Sequence, residues 1–388
     1  MTNACGVGTL AVQRALQSGT SGLRRNDFAP AASLATWIGR VDAVDASRMP
    51  DAFAAYDCRN NRLAQLALEQ DGFLAEVRAA ALRHGADRIG VSLGTTTSGI
   101  LSTELAYRAL VHGEEGGGDA LSPEHYRCRH SLFATTEFVR AYLSLRGTAA
   151  TISTACSSSA KVFGTAARLI AARLIDAAVV GGVDSMCLTT LYGFNSLELL
   201  AADICRPWDA GRNGLSIGEA AAFALVERES AVPQGWLLGV GESNDGYHMS
   251  TPHPEGAGAI AAMRGALADA AMQPGDIDYI NLHGTATPSN DASEDRAVGQ
   301  VFGPATPCSS TKGATGHTLG AAGGVEAVIA LLAMRHGLMP AGLNVQQRDS
   351  ELHLDYLLEN RHACVRRVVS NSFGFGGSNA SLVFGGVV

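Results

Sequence analysis

The sequence lacks the signals that mark several classes of protein. Its eight cysteines include no C-x-x-C pair and no zinc-like spacing, which argues against a zinc module and for a reducing, cytoplasmic location. The net charge of -8 is diffuse and no basic run is present, so nucleic acid is not an expected partner. The N-terminus has no signal-peptide pattern.

Long uninterrupted apolar stretches are also missing. The stretch "LIAARLIDAAVVGGV" is broken by Arg173 and Asp176, so we expect no segment that spans a membrane. What is present is a chain of 388 residues, 46% of them hydrophobic, which can bury a large core. Its length predicts two domains or one large doubled domain.

Helix and strand patterns alternate along the chain, which predicts an α/β fold with buried central strands. Polar residues around Pro233 divide two halves of comparable pattern, predicted as 1–230 and 231–388, and residues 113–120 are predicted to be a surface loop. The expected strands are "ADRIGVSLGTT", "IDAAVVGGVDS", "IDYINLHG" and the strand–turn–strand "RRVVSNSFGFGGSNASLVFG", and the expected helices cover 157–175 and 318–336.

The stretch "TISTACSSSAKVF" places Cys156 at the corner between a predicted strand and a predicted helix. The start of a helix offers unpaired N–H groups and the positive end of its dipole, which favour the nucleophilic thiolate. We therefore predict that Cys156 is a nucleophile, the alternative being a buried structural cysteine. Buried or half-buried thiols without a chemical role are expected at Cys5, Cys58, Cys128, Cys187, Cys205, Cys308 and Cys364.

Two glycine-rich loops hold histidines. "YINLHGTATPSND" places His283 at the end of a predicted strand, with Thr285 and Thr287 available to hold a polar ligand or to satisfy the turn. "SSTKGATGHTLGAAGGVEA" places Lys312 and His317 before a long helix, whose N-terminus should keep His317 neutral. Taken singly, each of these side chains is equally typical of a packed or solvated loop.

A fourth segment, "NSFGFGGSNAS", alternates Phe373 and Phe375 with glycines. This pattern is typical either of a turn that plugs the core or of an apolar gate over a pocket. In the second case its backbone N–H groups are free to bind an oxyanion.

Together these four segments resemble the β-ketoacyl-acyl carrier protein synthases, the elongating condensing enzymes of the thiolase superfamily. "CRPWDAGRNGLSIGEAAAFALVE" resembles another characteristic segment of that family, and the resemblance runs from about residue 5 to the C-terminus. Four motifs in the right order are far more specific than one. The resemblance implies the thiolase fold, a five-layered α-β-α-β-α arrangement of two pseudo-repeated halves, usually dimeric. Family members open with an apolar strand before the segment that matches "ACGVGTLAVQRAL", so either Met1 is not the true start or the first strand is shortened here.

The resemblance also implies a role for each site residue. Cys156 would accept the acyl group, His283 and His317 would promote decarboxylation, and Lys312 would support that pair. The backbone N–H groups of Cys156 and Phe375 would form the oxyanion hole. Phe375 would be the gate, with Phe373 beside it, and Thr285 and Thr287 would hold the phosphopantetheine arm. Asp291, Glu294 and Glu326 would form a supporting polar network. Arg59 and Arg62 would dock the carrier protein, although both are equally typical of a solvated helix face.

The implied reaction is a decarboxylative Claisen condensation of an acyl-enzyme with malonyl-acyl carrier protein, giving a 3-oxoacyl carrier in fatty acid or polyketide synthesis. The implied partners are the acyl carrier protein and a second ketosynthase chain, either identical or chain-length-factor-like; no metal or organic cofactor is expected. "SGLRRNDF" and "YDCRNNRL" resemble ketosynthases of aryl-polyene-type clusters, which pair with a chain-length partner.

Three other functions are weighed against this one. "GLSIG" matches the G-x-S-x-G of α/β-hydrolases around Ser216, but a polar turn precedes it where that motif needs a strand. A chain-length-factor-like partner with little activity of its own would lack the nucleophile, whereas Cys156 is present. A degradative thiolase would need a second cysteine where this chain has "FGFGGSN", and two histidines favour elongating over initiating synthases.

Overall fold

The computed structural model describes residues 1–113, 122–230 and 232–387, so the predicted loop at 113–120 lies almost wholly outside the described residues. Helices and strands are numbered in chain order. The helices are α1 (Thr9–Ser18), α2 (Ala43–Ala46), α3 (Arg59–Leu68), α4 (Phe73–His84), α5 (Ile100–Val111), α6 (Pro123–His125), α7 (Leu132–Tyr142), α8 (Ser158–Ala171), α9 (Leu188–Ser196), α10 (Ala257–Asp269), α11 (Pro288–Phe302), α12 (Lys312–Thr315) and α13 (Ala322–His336).

The strands form two large sheets and two small ones. They are β1 (Thr2–Asn3), β2 (Gly6–Val7), β3 (Arg24–Arg25), β4 (Trp37–Gly39), β5 (Ile89–Gly94), β6 (Ala149–Ile152), β7 (Ala177–Asp184), β8 (Ile217–Gly218), β9 (Ala220–Glu227), β10 (Trp236–Asn244), β11 (Tyr279–Asn281), β12 (Cys308–Ser309), β13 (Leu338–Met339), β14 (Arg361–His362), β15 (Arg367–Gly374) and β16 (Ser378–Gly385). All of the strands predicted from the sequence are present, each shorter at its ends.

The two large sheets repeat one topology. The first has the order β2-β1-β9-β7-β5-β6 and the second the order β10-β16-β15-β11-β12. In each, an antiparallel pair (β9/β7 or β16/β15) continues into a parallel trio (β7-β5-β6 or β15-β11-β12). The predicted pseudo-repeat is therefore present. Strands of the first sheet lie within 1–230 and those of the second within 231–388, while the boundary itself stays a prediction.

Helices α8 and α13 lie between the two sheets and contact strands of both. The apolar face of α8, with Val162, Phe163 and Ala166, packs into a core shared with Val180 of β7 and Leu382 of β16. Helices α3 and α7 contact the outer face of the first sheet, and α10, backed by α11, covers the second. This is the predicted five-layered α-β-α-β-α arrangement of the thiolase fold.

Close packing of α8 on the first sheet depends on two glycines. A Cβ on Gly94 would lie 2.3 Å from the Ser159 backbone nitrogen, and one on Gly182 would lie 2.6 Å from Ser159 Cβ. Because side chains there would push the helix away, glycine in β5 and β7 brings the start of α8 against the sheet. The helix that follows Cys156 is thereby fixed to the core.

The stretch Leu319–His336, which contains α13, has a mean hydropathy of 1.3, enough by length and composition to cross a membrane. No other helix among the described residues meets this measure, and the expectation that no segment spans a membrane stays a prediction. About two thirds of the stretch (67%) is buried inside the protein. Its composition follows from its place between two sheets, where a helix is apolar on all sides.

Candidate active site

Cys156 lies at a strained corner between β6 and α8. Ala155, immediately before it, has a left-handed φ of 52°, an uncommon conformation for a residue with a side chain. Serine side chains stabilise the corner: the Ser157 hydroxyl donates to the Thr154 carbonyl at 2.8 Å, and the Thr154 N–H donates to the Ser158 hydroxyl at 2.9 Å. The corner directs the Cys156 thiol into a cleft, where it lines the wall.

His317 is the immediate neighbour of the thiol. Its Nε2 lies 3.0 Å from Cys156 Sγ, a hydrogen-bond distance for sulfur. Its backbone is held on both sides by β8: its N–H donates to the Ser216 carbonyl at 2.7 Å and its carbonyl accepts from the Gly218 N–H at 2.9 Å. The segment "GLSIG" therefore positions the histidine, and Ser216 itself is fully buried, with its hydroxyl accepting the Cys205 N–H at 3.2 Å.

His283 completes the cluster from the second sheet. It follows β11, and its ring centroid lies 5.3 Å from that of His317 with the two planes nearly perpendicular, at 85°. Glu294 on α11 accepts the N–H groups of His283 and Gly284, each at 2.7 Å, which fixes the backbone of the turn. Sulfur and both imidazoles thus converge from three distant segments of the chain.

Lys312 is fully buried behind the two histidines. Its ammonium donates to the His283 carbonyl and pairs with the Glu326 carboxylate on α13. Burial raises the pKa of Glu326 to about 7, with Lys312 opposing the rise, and burial likewise raises the pKa of Glu294 to about 7. Of the predicted supporting network, Glu326 therefore pairs with the buried cation, whereas Glu294 holds the backbone of the His283 turn.

The protonation state of Cys156 differs from the sequence-based expectation. Burial raises the pKa of its thiol to about 12, and the opposing effects of the Lys312 charge and the Phe375 N–H are smaller. The prediction of a resting thiolate is therefore wrong, because it counted the helix dipole and not the loss of water around the sulfur. A buried thiol has to lose its proton to a neighbouring base as it reacts.

The two histidines are suited to be that base and its partner. Burial, followed by the Lys312 charge, lowers the pKa of both His283 and His317 well below the ordinary value. Neutral His317 was predicted correctly, although burial and Lys312 account for it in place of the helix N-terminus. Nδ1 of neither ring has a hydrogen-bond partner among the described residues, so the protein imposes no single tautomer on them.

These pKa directions predict the pH dependence of Cys156 alkylation. Because the thiol pKa is raised to about 12, the reactive thiolate fraction should grow with pH throughout the accessible range, about tenfold per pH unit below that pKa. Iodoacetamide labelling of Cys156, followed by peptide mass spectrometry, should therefore rise without a plateau up to about pH 9. A plateau that begins near neutral pH would indicate a resting thiolate–imidazolium pair and contradict this assignment.

The turn after β15 covers the thiol. The Phe375 N–H is close enough to the Cys156 thiol to oppose the rise in its pKa, and a Cβ on Gly374 would lie 3.2 Å from the Cys156 backbone nitrogen. The Phe375 ring stacks on Phe194 of α9, with centroids 5.4 Å apart, and the Phe373 ring lies 6.0 Å from His283. The sequence analysis did not find Phe194, because "LTTLYGFNS" carries no motif and its position depends on how α9 folds back over the cleft.

The lining of the cleft is partly apolar and partly polar. Phe194, Leu199 and Leu215 contribute to the apolar part. Thr285 and Thr287 belong to the polar part, with their hydroxyls 3.0 Å apart. Further polar lining residues are Asp245, His248, Ser250, Thr251, Ser289 and Asn290. A thioester with a long polar arm fits this division of surfaces.

Asp291 supports the threonine loop from the start of α11. It accepts the N–H groups of Ala286 and Trp208, each at 3.1 Å, and the Arg212 guanidinium lies 3.4 Å away. Burial raises its pKa to about 6, with Arg212 opposing the rise. The segment "CRPWDAGRNGLSIGE" thus supports two parts of the site. It contacts Asp291, which supports the threonine loop, through Trp208 and Arg212, and it holds the backbone of His317 through β8.

Cys156, His283 and His317 offer one sulfur and two nitrogens within 4.8 Å of one another, which is a chemically competent ligand set for a soft divalent ion. The same three residues are the predicted nucleophile and the predicted histidine pair. The absence of a metal from the working enzyme stays a prediction.

Two sequence-based assignments need correction. Arg59 is not a free docking residue: its side chain is 10% exposed and pairs with the fully buried Glu219 and with Asp45. Arg62 is 28% exposed and pairs with Asp57, and its role in docking stays a prediction. Cys364 is exposed rather than buried, whereas Cys5 is half-buried; the others that were expected to be buried are so.

Comparison with known proteins shows the family of this chain. Residues 58–231 match the family model "Beta-ketoacyl synthase, N-terminal domain", and residues 234–346 match "Beta-ketoacyl synthase, C-terminal domain". The chain belongs to the β-ketoacyl synthase family. A 3-oxoacyl-[acyl-carrier-protein] synthase 2 of Coxiella burnetii is 37% identical over 316 residues, which span 77% of this chain and 75% of that protein.

Further relatives agree with this family. A 3-oxoacyl-[acyl-carrier-protein] synthase 2 of Staphylococcus aureus is 34% identical over 315 residues, spanning 77% of both chains. The solved structure of the ketosynthase (ApeO) in complex with its chain length factor (ApeC) from Xenorhabdus doucetiae contains a chain with a TM-score of 0.91 and 40% identity, covering 99% of this chain and 96% of that one. The predicted thiolase fold, the condensing activity and the acyltransferase class are confirmed.

Proposed function

We propose that this β-ketoacyl synthase is the catalytic subunit that condenses an acyl group held on Cys156 with a malonyl unit carried by an acyl carrier protein. The observation that supports it most is the 3.0 Å contact between Cys156 Sγ and His317 Nε2, with His283 beside them. A chain-length-factor-like subunit without activity would have no need of this arrangement.

In the first half-reaction His317 Nε2 accepts the thiol proton as the Cys156 sulfur attacks the acyl thioester. The backbone N–H groups of Cys156 and Phe375 stabilise the tetrahedral oxyanion. When the intermediate collapses, the carbon–sulfur bond to the carrier breaks, and His317 returns the proton to the departing thiolate. The products are an acyl-enzyme and a free carrier thiol.

In the second half-reaction a malonyl carrier occupies the cleft with its thioester oxygen facing His283 and His317. The carbon–carbon bond to the carboxylate breaks, carbon dioxide leaves, and the electron pair moves into an enolate. Two neutral imidazoles donate hydrogen bonds to the enolate oxygen, which a carboxylate would repel. The enolate carbon attacks the acyl group, the Cys156 sulfur leaves as a thiolate, and it takes one proton from solvent.

His317 has opposite duties in the two halves of this cycle. Nε2 accepts a proton from Cys156 first and donates a hydrogen bond to the enolate later. The change requires the proton to move between the two ring nitrogens, and the unpartnered Nδ1 leaves that exchange open. A histidine locked through Nδ1 could serve only one of the two steps well.

We further propose a cytoplasmic enzyme that pairs with a chain-length-factor-like ketosynthase and takes its substrates from an acyl carrier protein. The 40% identity to a chain in the ketosynthase–chain length factor complex of Xenorhabdus doucetiae supports the heterodimer over a homodimer. This pairing makes polyketide-type synthesis the first candidate pathway. Fatty acid synthesis is the second, supported by the similarity to the 3-oxoacyl-[acyl-carrier-protein] synthases of Coxiella and Staphylococcus.

Reconstitution tests this proposal. The purified chain, alone and co-expressed with a chain-length-factor-like ketosynthase, is incubated with a panel of acyl carriers and malonyl carrier. We expect mass spectrometry of the carriers to find 3-oxoacyl products longer by one two-carbon unit, with most product from the co-expressed pair. Reactions without malonyl carrier are the control. If neither preparation forms a 3-oxoacyl product with any primer, the proposed reaction is refuted.

A further inference from the structure

The chain contains lysine at only two positions, Lys161 and Lys312, although it carries 29 basic residues. All of its other basic positions are arginine. Lys312 is the buried cation behind the histidine pair. Lys161 lies on α8, five residues after Cys156, and the mechanism above gives it no role. One lysine therefore lies behind the histidine pair, and the other lies on the helix that follows Cys156.

The contacts of Lys161 join α8 to the turn that covers the thiol. Its Nζ donates to the Ser378 hydroxyl at 2.7 Å, and its side chain is only 14% exposed. The nearest carboxylate oxygen, on Glu242 of β10, is more distant at 3.9 Å. The hydroxyl of Ser378 is therefore the main partner of this ammonium.

Ser378 is the residue at which the covering turn ends and β16 begins. Gly376 and Gly377, directly before it, have left-handed φ values of 75° and 71°. Ser378 pairs with Gly374 across the turn, so these two residues form the base from which the turn projects. A bond to Ser378 restrains the base of the turn, whereas the glycines leave its tip free to rotate.

The same helix thus contacts the turn at both ends. At the beginning of the turn, Gly374 lies against the corner that precedes α8, where a Cβ on it would be 3.2 Å from the Cys156 backbone nitrogen. At the end, Lys161 within α8 bonds to Ser378. From this geometry we infer that Lys161 is a positioning residue, which holds the turn against the nucleophile so that the Phe375 N–H stays aimed at the oxyanion. This inference rests on the proposed function, because the oxyanion belongs to that reaction.

Arg168 explains why Lys161 is available for the hydroxyl. It lies two helical turns further along α8, and both of its terminal nitrogens contact Glu242 at 3.0 Å. Arginine satisfies the carboxylate in its planar fork, and the compact ammonium of lysine reaches the hydroxyl. Arg168 is 64% exposed and does not bond to the turn, so it is a matched control for loss of a cation on the same helix.

A double-mutant cycle tests this inference. Lys161→Met keeps the apolar stem and removes the donor, and Ser378→Ala removes the acceptor. Because a misaimed oxyanion donor slows acyl transfer, we expect each variant to lower the rate of Cys156 acylation by about 10- to 100-fold. The double variant should lose no more than either single variant. Arg168→Met should acylate at the wild-type rate, and Lys161→Arg should recover part of the loss.

Two readouts separate positioning from general damage. Iodoacetamide alkylation forms no oxyanion, so its rate at Cys156 should stay within about twofold of wild type in every variant. Amide hydrogen exchange of peptides covering 373–379 should be about tenfold faster in Lys161→Met and Ser378→Ala, and unchanged in Arg168→Met.

The possible results are distinguishable. If wild type transfers no acyl group, the proposed function fails, and hydrogen exchange alone still decides whether Lys161 restrains the turn. If wild type is active and the losses of the two single variants multiply in the double variant, Lys161 does not act through Ser378. Unchanged exchange over 373–379 in Lys161→Met would also overturn the inference.

Discussion

Replacing Cys156 with alanine is expected to abolish the acyl-enzyme and to lower condensation by roughly 10⁴- to 10⁶-fold, the scale of losing a covalent nucleophile. Cys156 is the one cysteine that lines the described cleft and contacts a histidine. Other buried thiols, such as Cys187 with a pKa raised by burial to about 12, have no such neighbour. Reactivity therefore follows from the base beside the sulfur.

The variant should keep the second half of the chemistry. His283 and His317 remain in place in Cys156→Ala, so malonyl carrier should still lose carbon dioxide and accumulate as acetyl carrier. Intact-protein mass spectrometry measures the acyl-enzyme, and carrier mass spectrometry measures the acetyl product. Cys187→Ala is the matched control and should acylate normally. An acyl group found on the Cys156→Ala protein would place the nucleophile elsewhere.

Replacing His283 with alanine should have the opposite effect. Its ring does not hydrogen-bond to Cys156 Sγ, whereas His317 Nε2 does at 3.0 Å, so acyl transfer should continue. Loss of one donor to a developing oxyanion costs about 100- to 1,000-fold in rate. We therefore expect His283→Ala to form the acyl-enzyme while carbon dioxide release falls by that factor.

His317→Ala is the informative comparison for this prediction. That ring serves as base for the thiol and as donor to the enolate, so its loss should slow both half-reactions. Burial and the Lys312 charge keep both imidazoles neutral, so the effect should not depend on pH through the neutral range. Equal losses of both half-reactions in His283→Ala and His317→Ala would show that the two histidines share one role.

The sequence could predict what local pattern determines. Glycine placement and periodicity over about a dozen residues predict the strand, corner and helix around Cys156. They also predict the turns that hold His283 and His317 and the turn at Phe375. Their meeting at one point could not be predicted from periodicity, because β6, β11 and the 317 loop are far apart in the chain. The family resemblance provided that long-range information.

The errors in the sequence analysis all concern tertiary surroundings. The Cys156 pKa depends on the absence of water around sulfur, which no local motif encodes. Arg59 was taken for a surface charge because its buried partner, Glu219, lies 160 residues away. Phe194 was missed for the same reason: its contact with Phe375 joins α9 to the turn after β15.

The central claim is that one site divides acylation and decarboxylation between Cys156 and His283. The most direct test follows acyl-enzyme mass and labelled carbon dioxide release in parallel for wild type, Cys156→Ala and His283→Ala. The account predicts that Cys156→Ala releases carbon dioxide without forming an acyl-enzyme, and that His283→Ala forms the acyl-enzyme without releasing carbon dioxide. Carbon dioxide release at the wild-type rate from His283→Ala would contradict it.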